Sequence, residues 1–203
     1  MLTYLFPTTK KEPPSSDKIQ VYLGPPGSIT TCLVHAMTRE AERLMPIELS
    51  TDPSWDRPGN PAIWIKGKPP VHGWAPVCRY LGRMCHMHPS NPDHAIIVDE
   101  TLDDLGEFIA PFTQLDSDDL RRKWIRSHMR PYLKRLEDTV DDETLCLYGF
   151  DAPTIADVCW RFAINWIMEW HLEHDEPRDI FKDTPLLLKW FEDEFPEQQK
   201  DDC

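Results

Sequence analysis

Gly149-Phe150-Asp151-Ala152-Pro153-Thr154-Ile155-Ala156-Asp157-Val158 is the stretch on which the fold turns. Thr154, with an acidic residue three positions later, reads as a helix start. Its hydroxyl is placed to accept from the backbone N–H of Asp157, while the Asp157 carboxylate reaches back to the Thr154 N–H. Losing such a cap typically costs about 1 kcal/mol. Behind it Cys159, Phe162, Ala163, Trp166, Ile167 and Trp170 make a bulky apolar helix suited to the centre of a helical domain.

The segments on either side of this helix repeat the pattern. Thr101 to Phe112, Ser117 to Thr139, Thr154 to His171 and Pro185 to Phe195 carry apolar residues at three- and four-residue intervals, and Pro131 marks a kink or a break in the second. No strand is expected after the loop His86 to Asp93. Upstream the pattern changes. Ile19 to Leu23 alternates as a strand, Ser28 caps a helix running to about Arg43, and Met45 to Leu49 and Pro61 to Ile65 read as two further strands. A short strand at Val71 and a helix from about Ala75 to Met84 complete a small α/β unit. The expected organisation is a proline-rich, charged arm over 1–18, an α/β domain over 19–90 and an all-helical domain over 91–203.

Composition narrows the function classes. The chain has 203 residues with 22 Lys and Arg against 35 Asp and Glu, a formal net charge of −13. That field repels phosphate backbones and disfavours nucleic acid as a partner. No apolar run approaches the roughly 20 residues of a membrane span. Six cysteines (Cys32, Cys78, Cys85, Cys146, Cys159, Cys203) without any C-x-x-C pair fit a reducing, cytoplasmic setting in which cysteine serves as a small buried hydrophobe.

The 149–158 stretch resembles the buried N-capping box, G-x-x-x-[ST]-[LIV]-A-D, of the glutathione S-transferase family, although the motif's glycine falls on Phe150 and Gly149 stands one residue early. Asn60-Pro61-Ala62-Ile63, ahead of Ala75-Pro76-Val77-Cys78-Arg79-Tyr80-Leu81, resembles the family's third strand and the A-I-x-R-Y-L close of its third helix. The resemblance spans residues 19 to 195 and implies a thioredoxin-like α/β domain packed on an all-α domain. It also implies a cis Asn60–Pro61 bond, with Asn60 and Pro61 lying against glutathione. The family's catalytic hydroxyl would be Ser28, at the first helix N-terminus, or Tyr22, in the first strand; Cys32 reads as core. The Glu-Ser or Gln-Ser pair that receives the γ-glutamyl end in active members is here Gly73-Trp74. Gly73 lends only its backbone N–H. The lost charge-assisted hydrogen bond is worth about 1.5–3 kcal/mol, roughly ten- to hundredfold in affinity.

Other motifs weigh less. Gly24-Pro25-Pro26-Gly27-Ser28 lacks the lysine of a phosphate-cradling loop, and its prolines remove N–H donors. Cys85-His86-Met87-His88 and nearby His94 are the densest set of soft ligands, but neighbours in sequence do not converge on one ion without a special loop, so no metal site is expected. Of eight tryptophans, Trp55 and Trp74 stand where they could cover a protein partner, and the basic run from Arg121 to Arg135 could meet acidic surface of another subunit. Two classes therefore stay open. One is a degenerate member serving as a non-catalytic interaction or assembly subunit, with a protein partner or a second copy. The other is an active transferase joining glutathione, as substrate, to a small electrophile, with no further cofactor.

Overall fold

The computed structural model describes residues 19–24, 28–50, 60–171 and 180–192; the arm expected over 1–18 lies outside them. The first elements are β1 (Ile19–Tyr22), α1 (Ile29–Glu42), β2 (Ile47–Ser50), β3 (Ala62–Trp64), β4 (Val71–His72) and α2 (Trp74–Met84). They form one mixed sheet in the order β2-β1-β3-β4. The α1 crossover makes β1 and β2 parallel, with Val21 beside Leu49, while β3 runs antiparallel to β1, with Val21 beside Ile63. Lys68 N–H donates to Ile65 O at 3.0 Å, closing the turn from β3 to β4 around Gly67 at φ 76°. Val21 and Ile63 are buried under Leu33 and Met37 of α1 and Val77 and Leu81 of α2.

The helical half contains α3 (Pro92–Thr113), α4 (Asp118–Glu137), α5 (Ile155–His171) and α6 (Pro185–Glu192). The third helix begins at Pro92, nine residues before the expected Thr101 and inside the expected loop. Its start is built from Asn91, whose side chain accepts from Asp93 N–H at 2.9 Å, with Pro92 in the first turn. In the first two turns Val98 alone reaches the core, while His94 and Ile96 are exposed, so no apolar stripe announces them. The fourth helix runs unbroken through Pro131, which faces solvent. There the carbonyl that loses its intrahelical donor belongs to Ser127, itself an exposed residue.

Phe108 of α3 joins the helices, its ring centroid 5.0 Å from Trp124 and from Tyr132 and 5.4 Å from Trp160. Trp160 on α5 donates its indole N–H to Thr101 O at 3.0 Å. The Asp157 carboxylate is fully buried at the start of α5. It accepts from Thr154 N–H (2.8 Å), Thr154 Oγ1 (2.9 Å), Leu147 N–H (2.9 Å) and Trp190 Nε1 (3.2 Å). The reciprocal half of the expected box is shifted by one residue: Thr154 Oγ1 accepts from Ala156 N–H rather than Asp157 N–H, at 3.2 Å. The hydroxyl proton is committed to the Asp157 carboxylate, which turns the oxygen toward the nearer amide.

Candidate functional site between the sheet and the helical half

Four stretches of the α/β half meet at one end of the sheet. Gly24, just past β1, has φ 90°, and a β-carbon there would sit 3.1 Å from Thr31 Oγ1 and 3.4 Å from Pro61 Cδ. The end of β1, the first turn of α1 and the residue leading into β3 thus close on one another where only glycine leaves room. Pro61 O accepts from Gly73 N–H at 2.8 Å, which draws the start of α2 to the same place. Two helix N-termini therefore converge on Pro61, and their open amides favour an anion.

The expected site residues occupy this frame as follows. Ser28 is the N-cap of α1: its Oγ accepts from Thr31 N–H at 3.1 Å and donates to Thr31 Oγ1 at 2.8 Å, with Thr30 Oγ1 at 3.2 Å. The one hydroxyl proton is directed at a threonine. Tyr22 is buried in β1, opposite Ala62 of β3. Cys32, a turn into α1, is buried as a core residue. Asn60 is exposed and Pro61 is buried. Among the described residues no peptide bond is cis, so the expected cis Asn60–Pro61 bond is corrected to trans. Trans is the more stable isomer of an X-Pro bond by about 0.5–1 kcal/mol. In it Pro61 O already reaches the Gly73 amide while Ala62 pairs with Tyr22 and His72.

Gly73 is the N-cap of α2 at φ 95°, and no side chain caps that helix. Trp74 is its first residue and is half-buried. Its ring reaches across to α3, where a β-carbon on Gly106 would lie 3.6 Å from Trp74 Cζ2. The position at which the resemblance asks for a small hydroxyl thus holds an indole laid over the one glycine of α3.

No family model matches the chain, and a search of curated proteins finds no match. Solved structures do match. A Pi-class glutathione S-transferase of Onchocerca volvulus aligns over 86% of this chain and 86% of its own at 12% identity and a TM-score of 0.64. The monomeric Na-GST-3 of the hookworm Necator americanus aligns over 86% and 90% at 15% identity and 0.64. Prostaglandin synthase D of Nilaparvata lugens aligns over 89% and 100% at 14% identity and 0.61. The chain has a glutathione S-transferase-like fold. Its four-stranded mixed sheet with α1 and α2 is the thioredoxin-like part of that fold, and α3 to α6 belong to the helical part.

The contact between the two parts of this glutathione S-transferase-like fold holds a cluster of charged side chains. On α2, Arg79 Nε donates to Asp99 Oδ1 and Arg79 Nη2 to Asp103 Oδ1, both at 2.5 Å, and Nη2 also reaches Asp99 O at 2.9 Å. His88 Nε2 lies 3.2 Å from Asp99 Oδ1, and Arg83 Nη2 is 4.0 Å from Asp99 Oδ2. Partial burial pushes the Asp99 carboxyl up, but the bonds from His88 and Arg79 outweigh it and hold it below the usual aspartate value. A depressed carboxyl contributes stability that is complete above its unfolded-state value, roughly 3.9, and disappears as the pH falls through the folded value. We expect the thermal midpoint of Asp99→Asn to lie below that of wild type at pH 7, with the gap closing below about pH 4. A gap unchanged between pH 7 and pH 3 would remove Asp99 from the acid response.

The soft-ligand stretch is dispersed by the same contact. His88 is bound to Asp99, Cys85 is buried with its thiol pushed up by burial and by Glu40, and the His94 ring lies tilted at 52° against Phe150, centroids 5.2 Å apart. Among the described residues no three His, Cys, Asp or Glu side chains gather into a metal-holding group. Cys78 is pushed well up by burial and by its neighbour Cys159 on α5, which keeps it a thiol rather than a nucleophile. Nor is any described helix long and apolar enough to cross a membrane. The α2–α3 ion cluster and the Trp74–Gly106 contact were not foreseen from sequence. The available signals were Asp99 and Asp103 one helical turn apart and an isolated glycine inside an otherwise regular helix.

Proposed function

We propose that this protein is a glutathione S-transferase-like chain with a degenerate glutathione site that acts in the cytosol as a non-catalytic interaction or assembly subunit, with a protein partner or a second copy. The observation that carries the reading is Trp74. Where the γ-glutamyl end of glutathione needs a small hydroxyl at a helix N-terminus, an indole spans from α2 to Gly106 of α3. Ser28 supports it, since its proton already goes to Thr31 Oγ1. Without a directed hydroxyl the pKa of a bound thiol is lowered by the helix dipole alone.

Wild-type protein is expected to pass through immobilised glutathione without specific retention at millimolar ligand. Trp74→Ser restores one charge-assisted bond and removes the ring, so its glutathione affinity rises by about ten- to hundredfold, measured by calorimetry. Specific elution of the wild type by free glutathione would overturn the reading. The convergence of two helix N-termini on Pro61 favours a second reading, an active transferase in which Asn60, Pro61 and Gly73 hold glutathione, Ser28 or Tyr22 steadies its thiolate and a small electrophile enters beside the helical half. Thiol conjugation to an aryl halide that falls on Ser28→Ala would establish it.

A further inference from the structure

The outer face of α3 and the loop that leads into α5 share one surface, on which exposed rings stand among carboxylates. Tyr148 and Phe150 come from the loop, ring centroids 6.3 Å apart, and the His94 ring of α3 is 5.2 Å from that of Phe150. The Tyr148 hydroxyl shares a 2.7 Å hydrogen bond with Thr101 Oγ1, and the Tyr148 backbone N–H donates to Thr139 O at 2.6 Å. The ring is thus fixed at both ends while 37% of the residue stays exposed. On the helix beside it Ile96 is 68% exposed.

The charge around these rings has one sign. The third helix carries six Asp and Glu and no Lys or Arg, and from Asp138 to Trp160 there are six further acids and again no Lys or Arg. Arg79 takes Asp99 and Asp103 on one side of α3, and Arg135 approaches Asp104 to 4.0 Å. Asp93 and Glu100 are exposed and have no ion pair among the described residues. Glu100 and Asp104 stand four residues apart, a like-charged spacing that destabilises a helix. Both also act on the Tyr148 hydroxyl, which partial burial and then these two charges hold above the usual tyrosine value.

An exposed ring beside uncompensated carboxylates attracts a cation twice, through its negative face and through charge. A guanidinium suits such a place better than an ammonium, because it lies flat on a ring and still presents N–H donors to a carboxylate. Asp93, Ile96 and Glu100 recur at three- and four-residue steps, about 10 Å from end to end at helical rise. Arg121, Arg122 and Lys134 of α4, the chain's own basic helix, already pair with Asp118, Asp119 and Asp138, which favours a partner protein over a second copy.

We propose that this surface docks a basic amphipathic helix of a partner protein, with arginines at i and i+7 meeting Asp93 and Glu100, a leucine between them covering Ile96, and one guanidinium laid against Tyr148. The proposal rests on the interaction reading above and gives that reading its surface. It is tested on the full chain by fluorescence anisotropy, with a labelled 18-residue helical peptide carrying arginines at i and i+7 and a leucine at i+4. A second peptide has citrulline at both arginine positions, which keeps the shape and removes the charge.

The arginine peptide is expected to bind at least roughly tenfold more tightly than the citrulline peptide and to weaken by roughly tenfold in D93K/E100K, with binding falling as salt rises. Tyr148→Leu should weaken it by roughly two- to fivefold, the worth of an exposed cation–ring contact. Should D93K/E100K misfold by circular dichroism, D93N/E100Q replaces it with the same expectation in direction. Should Tyr148→Leu misfold, an upfield ring shift of the arginine methylene protons in the bound peptide replaces it. Equal binding of the two peptides, equal binding by the charge variant, or no effect of the ring would each overturn the proposal. So would self-association of the wild type, by sedimentation, that the charge variant loses, because it would assign the surface to a second copy. Retention on glutathione bears only on the site at Trp74 and leaves this outcome untouched.

Discussion

Asp157→Ala is expected to lower the thermal midpoint by roughly 10 °C, the largest loss from any single polar group of the described residues. The carboxylate has no exposed surface and receives four bonds, from Thr154 N–H, Thr154 Oγ1, Leu147 N–H and Trp190 Nε1. Truncation leaves these donors facing an apolar void. A buried donor without an acceptor costs about 1–3 kcal/mol, and partial access of water to the void keeps the total on the order of 4 kcal/mol. One kcal/mol moves the midpoint of a chain this size by about 2–4 °C. Asp157→Asn keeps the volume and one acceptor oxygen but turns an amide N–H₂ toward two of the donors, so its loss falls between wild type and Ala. A urea titration at constant m that places Asp157→Ala within about 1 kcal/mol of wild type would show that the carboxylate is an ordinary cap and not the tie between α5, α6 and the loop before them.

What the sequence made legible follows from how local each signal is. The α5 start was readable because Thr154 and Asp157 are three residues apart and a helix N-terminus must find acceptors from nearby chain. The two further partners of Asp157, Leu147 and Trp190, come from distant chain and left no local mark. Ser28 was readable as a cap for the same local reason, and the structure adds that its proton is spent on Thr31 Oγ1. The expected loop over His86 to Asp93 takes in the start of α3, and the helical pattern is picked up only from Thr101, since the signature of the first turns is a capping Asn91-Pro92 pair with the single buried residue Val98 behind it. The register of the site was carried by resemblance at Asn60-Pro61 and Arg79-Tyr80-Leu81. Its isomer was not, because an X-Pro preference of about 0.5–1 kcal/mol is decided by tertiary contacts. Trp74 was seen as misplaced, yet its seat on Gly106 depends on how α2 and α3 pack together, and no spacing rule reaches from residue 74 to residue 106.

Gly82→Ala supplies the second large effect, and its sign distinguishes close packing from helix propensity. Gly82 lies inside α2, where alanine in place of glycine on an open helix surface would stabilise by about 1 kcal/mol. Here a β-carbon would run into Ile155 Cγ2, with Ile155 Cβ and Cδ1 also at 3.2 and 3.3 Å. Rotation about χ1 gives little relief, because Ile155 is β-branched and wholly buried at the first turn of α5. Nor is the backbone free to retreat: Gly82 O accepts from Met87 N–H at 2.8 Å and His88 N–H at 3.1 Å, and Met87 O accepts from Ile155 N–H at 2.9 Å. Overpacking of this kind costs about 1–3 kcal/mol and sometimes more, so the net expectation is destabilisation by roughly 2–4 kcal/mol despite the better helix former. Ile155→Ala alone leaves a void and costs about 2–5 kcal/mol. In the double variant the new methyl enters that void, and the combined loss should fall short of the sum of the two singles by at least about 1–2 kcal/mol. Denaturant midpoints of the four proteins decide it: strict additivity, or a Gly82→Ala chain more stable than wild type, would mean that α2 and α5 do not meet through this glycine.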